Sequence, residues 1–219
     1  MKRKKQALTL SSEVESIDAV YTHKGVVCPF VIPQGTEVVE LESWALIRND
    51  LNCALESFKF INEVQFGDQS ETIKRSLLFA AIISYAKPFS EGRGRVCRLR
   101  KDDVFSGKGE YKSIHNQIIK LRNKYVAHGD KTKLEQAMIR VALSPNTDQK
   151  EVLDIYHMVV STAGLETNTI ENYVAVTGYV LDFVKEKVAN LNAYVLQEAR
   201  KQDIEYLYEN SYEHSGVAG

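Results

Sequence analysis

The sequence is poor in the residues that build crosslinked, metal-bound or membrane proteins. Cysteine occurs three times, at Cys28, Cys53 and Cys97, widely spaced and odd in number. That spacing excludes a disulfide framework and fits a reducing compartment. Cys53, next to apolar helical positions, is expected to be a small core residue. There is no Cys-x-x-Cys and no His-Glu-x-x-His, and His23, His115, His128, His157 and His214 are dispersed, so no metal and no cofactor is expected. No apolar run approaches the ~18 residues of a membrane span. The opening Met1-Lys-Arg-Lys-Lys5 is not followed by the apolar stretch of a signal peptide, and reads as a basic tail. A bacterial cytoplasmic protein is the simplest expectation. Charge of one sign is also missing: 28 basic residues stand against 29 acidic, so any affinity for a polyanion must come from a local patch.

What is present is helical periodicity over a normal apolar fraction. Residues 1–35 read as an arm, where Pro29 and Pro33 confine Val26–Ile32 to an edge strand or extended segment. A first helix is expected from about Glu37 to Glu63, with Leu41, Trp44, Ile47, Leu51, Ala54, Leu55, Phe58 and Ile61 on one stripe. A second runs from about Glu71 to Lys87, with Ile73, Leu77, Leu78, Ala81, Ile82 and Tyr85 inward, and Pro88 ends it. Residues 88–110 are irregular. A third helix is expected from about Tyr111 to His128, stopped by Gly129. The period then changes, and two β-branched runs predict an antiparallel hairpin over about 138–160. Helical spacing returns from about Asn168 to Tyr208. Unbroken, that helix would span ~60 Å, so a kink or split is expected near Gly178 or Asn190. The expected domain covers residues 36–208, with 209–219 a flexible tail.

The chemistry concentrates in Leu121–Asp130, Leu-Arg-Asn-Lys-Tyr-Val-Ala-His-Gly-Asp. Arg122 is a permanent cation whose planar fork holds phosphate oxygens. His128 can move a proton at neutral pH. A fixed cation and a neutral-pH acid/base are what phosphodiester cleavage requires. The plainer role for His128, and for Lys124, is to complement the dipole at a helix C-terminus. On a regular helix Arg122 and His128 stand ~9 Å apart along the axis and ~120° apart in angle, so their heads converge only if the last turn opens or the arginine bends back. His115, seven residues before Arg122, shares nearly its face and is either a phosphate donor and second acid/base or a locally bonded histidine. Arg93, Arg95, Arg98 and Arg100 form either a solvated basic loop or a surface for an RNA backbone.

Arg122-Asn123 followed after four residues by His128 resembles the motif of the HEPN superfamily: an arginine, four to six residues, then a histidine, with a polar residue often after the arginine. The Ala127-His-Gly-Asp130 ending resembles that of many bacterial members. Ser84-Tyr-Ala-Lys-Pro-Phe89 is similar to a Tyr-Ala-Arg-Pro-Phe segment that often accompanies the motif. The likeness spans roughly residues 40–130. Helical periodicity in four segments and the period switch in one predict a mainly α fold, an up-and-down bundle of at least four helices with a small β-hairpin insertion and a long C-terminal helix, and the resemblance implies that this bundle is HEPN-like. It also implies a homodimer in which two copies of the motif face one cleft, and metal-independent endoribonuclease activity of a toxin or phage-defence component. Arg122, His128 and Asn123 would be catalytic, with Lys124, His115, Arg93, Arg95, Arg98 and Arg100 binding substrate. An antitoxin or regulator is a further implied partner. The tyrosine that some toxin members carry two residues after the histidine is here Asp130. The other reading is a helical dimerisation or RNA/nucleotide-binding module without turnover.

Overall fold

The computed structural model describes residues 22–63, 70–92, 94–126, 135–145, 150–161 and 165–212. The protein is mainly helical, with two small antiparallel sheets among the described residues. It divides into a larger unit, Gln34–Gln197, and a smaller one from the described residues on either side of it.

In the larger unit α1 (Thr36–Glu63) buries Trp44, Ile47, Leu51, Ala54, Phe58 and Ile61, the expected stripe. Cys53 falls outside that stripe and is exposed, not a core residue, because one residue's rotation about the helix axis carries it past Ala54. A second helix, α2 (Ser70–Ala86), buries Leu78, Ala81, Ile82, Tyr85 and Ala86, whereas Ile73 in its first turns is exposed. Pro88 ends α2 as expected and continues as a 3₁₀ turn, Lys87–Phe89. A short α3 (Lys101–Val104) and α4 (Gly109–Leu121) follow. Regular α-helix stops at Leu121, earlier than expected, and the chain passes into a π-helical turn, Arg122–Val126. The expected stop at Gly129 lies outside the described residues.

The hairpin is present as β3 (Glu135–Leu143) and β4 (Val152–Ser161). Their antiparallel register runs from Glu135 opposite Ser161 to Ala142 opposite Asp154, with an irregularity at Leu143. Ile139, Val141, Leu143, Val152, Leu153 and Ile155 are all exposed, so among the described side chains the ribbon buries no apolar residue and is held by its backbone ladder.

The long helix α5 (Thr167–Arg200) is continuous through Gly178 and Asn190, against the expected split. Val176, Thr177, Val180 and Leu181 are buried on both sides of Gly178, and their packing outweighs the ~1 kcal/mol that a mid-helix glycine costs. The break comes later, at Lys201–Gln202. Asp203 then starts α6 (Ile204–Glu209) by accepting a hydrogen bond from the Glu205 N–H at 3.2 Å.

In the smaller unit the arm forms β1 (Thr22–His23) and β2 (Val26–Val27). Lys24 and Gly25 join them with positive φ at both residues, 51° and 79°, the geometry a two-residue hairpin loop demands. Phe30 and Tyr212 exchange backbone hydrogen bonds of 3.1 and 2.8 Å and stack their rings.

Leu51→Ala should lower the unfolding free energy by ~2–5 kcal/mol, because the side chain is fully buried. Ile139→Ser on the ribbon should change it by no more than ~0.5 kcal/mol. Urea denaturation of both variants checks the contrast. Equal losses would mean that the ribbon belongs to the core.

Candidate functional site

The site grows from the end of α4. The backbone N–H of Arg122 is shared between the carbonyls of Ile118 and Ile119, and the chain then widens into the π turn. Such turns are rare and recur where a helix carries a functional group. Arg122 is half-buried. Its Nη1 donates to Asn123 Oδ1 at 3.0 Å, and it meets no carboxylate among the described residues. Asn123, expected to be catalytic, holds the guanidinium in this structure. Lys124 is exposed on the same turn.

Arg122 and Asn123 line a cleft of about 330 Å³ together with Ser90, Lys101, His115 and Asn116. Its cations, Arg122 and Lys101, are joined by neutral polar groups and no acid. His115 forms part of the floor. The ring is buried, with its Nδ1 3.0 Å from the Tyr85 hydroxyl. Phe89, Phe105 and Tyr85 surround it, at centroid distances of 4.5, 5.0 and 5.8 Å. Its Nε2 makes no hydrogen bond and is not sealed from solvent, so this edge of the ring meets the cleft. Burial, with a smaller push from the Lys101 charge, lowers the His115 pKa from 6.5 to about 4, so the ring is neutral at pH 7. Tyr85 is held un-ionised by the same burial.

The two segments that carry the family resemblance therefore meet. Tyr85 bonds His115, and Ala86, Phe89 and Ser90 line the cleft opposite Arg122 and Asn123. His128 and Arg93 lie outside the described residues.

The remaining basic residues divide. Arg95 is drawn inward: its Nη2 lies 2.6 Å from Oδ2 of Asp50, a buried carboxylate on α1. The contact is ionic without an aligned hydrogen bond, since Asp50 Oδ2 and Arg95 Nη1 are both buried with no hydrogen-bond partner. Lys87 donates to the other oxygen of Asp50 at 3.0 Å. Arg98 pairs with Glu91 at 2.5 Å on the surface, and Arg100 is exposed with no carboxylate partner among the described residues. Lys87, Asp50 and Asn116 were not singled out by the sequence reading. The signal for Asp50 was available, since an acid between Ile47, Leu51 and Ala54 on a buried stripe demands a cation.

No protein-family model, curated protein or solved structure matches the chain.

A depressed histidine pKa has a definite consequence for stability. Between 6.5 and about 4 the unfolded chain takes up a proton that folded His115 refuses, so this contribution is whole above 6.5 and is lost as pH falls through that window. An NMR titration of the histidine rings should show one imidazole, assigned by its absence in His115→Phe, still neutral at pH 5. Titration of that ring near 6.5 would mean that His115 is solvated.

Proposed function

We propose that the protein is a metal-independent endoribonuclease of HEPN type, with an up-and-down helical bundle, acting as a toxin or phage-defence component. The observation that carries this reading is the cleft. A cation with no carboxylate partner, Arg122, faces the segment Tyr85–Ser90 across a concavity that also holds Lys101. Those are the two parts of the chain on which the family resemblance rests.

In the proposed reaction a base removes the proton of a ribose 2′-hydroxyl, and that oxygen attacks the adjacent phosphorus. The P–O5′ bond breaks, leaving a 2′,3′-cyclic phosphate and a 5′-hydroxyl. Arg122, steadied by Asn123, neutralises the charge that builds on the phosphorane, and Lys101 adds to it. His128 acts as the base, or as the acid that protonates the leaving oxygen. Lys124 and the basic segment hold neighbouring phosphates. Deoxyribose lacks the nucleophile, so DNA survives. The second motif copy that faces this one comes from a homodimer partner, and cognate antitoxin or regulator binding would cover the same cleft.

The second reading is a dimerisation or RNA/nucleotide-binding module without turnover. It is favoured by the way His115 and Arg95, two of the candidate binding groups, are committed to the protein interior.

Purified protein should cleave RNA in the presence of EDTA, and both Arg122→Ala and His128→Ala should abolish cleavage while leaving the circular dichroism unchanged. Removing one positioned acid/base costs ~10²–10⁴ in rate, which a gel assay resolves. His115→Ala should matter less to cleavage than to stability. If the wild type leaves RNA intact, or both variants cut as well as it does, the module without turnover takes over. Light scattering should give a dimer at micromolar concentration. A monomer would remove the shared cleft.

A further inference from the structure

The chain from Lys87 to Arg100 encloses a second concavity, of about 680 Å³, next to the cleft and sharing Ser90 with it. The loop is pinned at several points. Leu99 N–H donates to the Pro88 carbonyl at 2.9 Å, Val96 N–H donates to Ser43 Oγ at 3.2 Å, and Arg95 lies against Asp50. Those contacts tie the described residues 95–99 to Pro88 and to α1.

Among the described residues four cations line the concavity: Lys87, Arg95, Arg98 and Arg100. Asp50 behind them and Glu91 at the rim offset two, which leaves two positive charges facing one hollow. The carboxylate that draws Arg95 inward satisfies only one side of its fork. Nη1 is buried with no acceptor. A buried guanidinium N–H without a partner is costly and rare in a native protein. Asp50 Oδ2 beside it is likewise buried without a hydrogen-bond partner, so this ion pair leaves polar capacity unused on both sides. Gly92 and Gly94 add no side chains to the lining, and space beside each is open, so an approaching group can reach the backbone. Among the described residues no aromatic ring lines it on which a base could stack.

We infer that this concavity is a phosphoryl-binding site, in which Arg98 and Arg100 hold the oxygens of one phosphate and the part of the Arg95 side chain that lines the hollow adds to them. Paired guanidinium forks at a hollow with net positive charge suit a tetrahedral oxyanion. The phosphate is either an internal one of a single-stranded polynucleotide or a free phosphate. The site does not depend on strand cleavage and stands whether or not RNA is cut.

The test uses a fluorescent single-stranded DNA oligonucleotide, which has no 2′-hydroxyl and survives any cleavage of the proposed kind. Its binding is followed by anisotropy, with inorganic phosphate as competitor, for wild type, R98Q/R100Q and R95K. Arg98 and Arg100 are exposed, so the double variant should fold as the wild type does, and circular dichroism checks it. R95K keeps the charge beside Asp50 but removes the second arm of the fork. The double variant should lose at least ~10-fold in affinity, and its log–log salt slope should fall by about 0.7 for each phosphate contact removed. R95K should lose affinity with the salt slope nearly unchanged. Displacement by millimolar phosphate, weakened in both variants, identifies free phosphate as a ligand. Strand binding that depends on these arginines but resists phosphate identifies the polynucleotide backbone. Absence of binding to both probes, or equal affinities in all three proteins, overturns the site. A wild type that binds the strand through these residues yet leaves RNA intact removes only the ribonuclease reading.

Discussion

A neutral imidazole inside an aromatic shell ties the larger unit together. His115 reaches from α4 to the Tyr85 hydroxyl on α2, with Phe89 of the 3₁₀ turn and Phe105 after α3 packed on its ring. Phe105 in turn stacks on Tyr179 of α5, whose hydroxyl donates to the Val104 carbonyl at 3.0 Å. Four helices are thus joined through rings that carry only three polar atoms into the interior, each compatible with burial because it is uncharged. A protonated imidazole there would lose its hydration with no carboxylate to replace it. The depressed pKa of His115 and the order of the cleft floor are consequences of one burial event.

Asp50 imposes the second constraint. An ionised carboxylate on the buried face of α1 must be met by cations, and it takes one from the end of α2 and one from the loop beyond. Two cations on one acid over-compensate it, so the surplus positive charge is built into the fold, next to the Arg122 cleft. An acidic protein overall, with net charge −1, thereby presents basic character in one place. Removing Asp50 would leave the largely buried Arg95 without its acid, a greater loss than breaking the exposed Arg98–Glu91 pair.

Periodicity made the helices legible. The stripe on α1 and the proline stop of α2 depend on local rules, and both appear where those rules put them. The switch from a period of 3.6 to one of 2 likewise marked the ribbon. What could not be read was tertiary. Packing around Val176–Leu181 carried α5 past Gly178, and no local signal weighs a glycine against neighbours from other helices. Cys53 was assigned by residue type when its angle about the helix decided the matter. At the site, Arg122 and Asn123 were visible as a motif, but their mutual hydrogen bond was not. His115 was placed correctly on the face of Arg122, yet its depth depends on Tyr85, thirty residues away. Arg95 looked like its neighbours Arg98 and Arg100, because a run of basic residues does not say which one has an acid waiting.

These placements divide the labour of the proposed reaction. A general base works best with a pKa near the operating pH. His115, at about 4, is too weakly basic for that, although its Nε2 touches the cleft. Arg122 and Lys101 supply charge and move no proton at pH 7. In the proposed reaction the described part of the cleft binds and polarises the phosphodiester, and His128 is the proton carrier. The regular-helix angle between Arg122 and His128 does not apply, since α-helical geometry ends at Leu121 and a π turn covers Arg122–Val126. His128 can enter from its own chain or from a second copy facing the cleft. In the proposed reaction the arginine's position is set by the end of α4 and by Asn123.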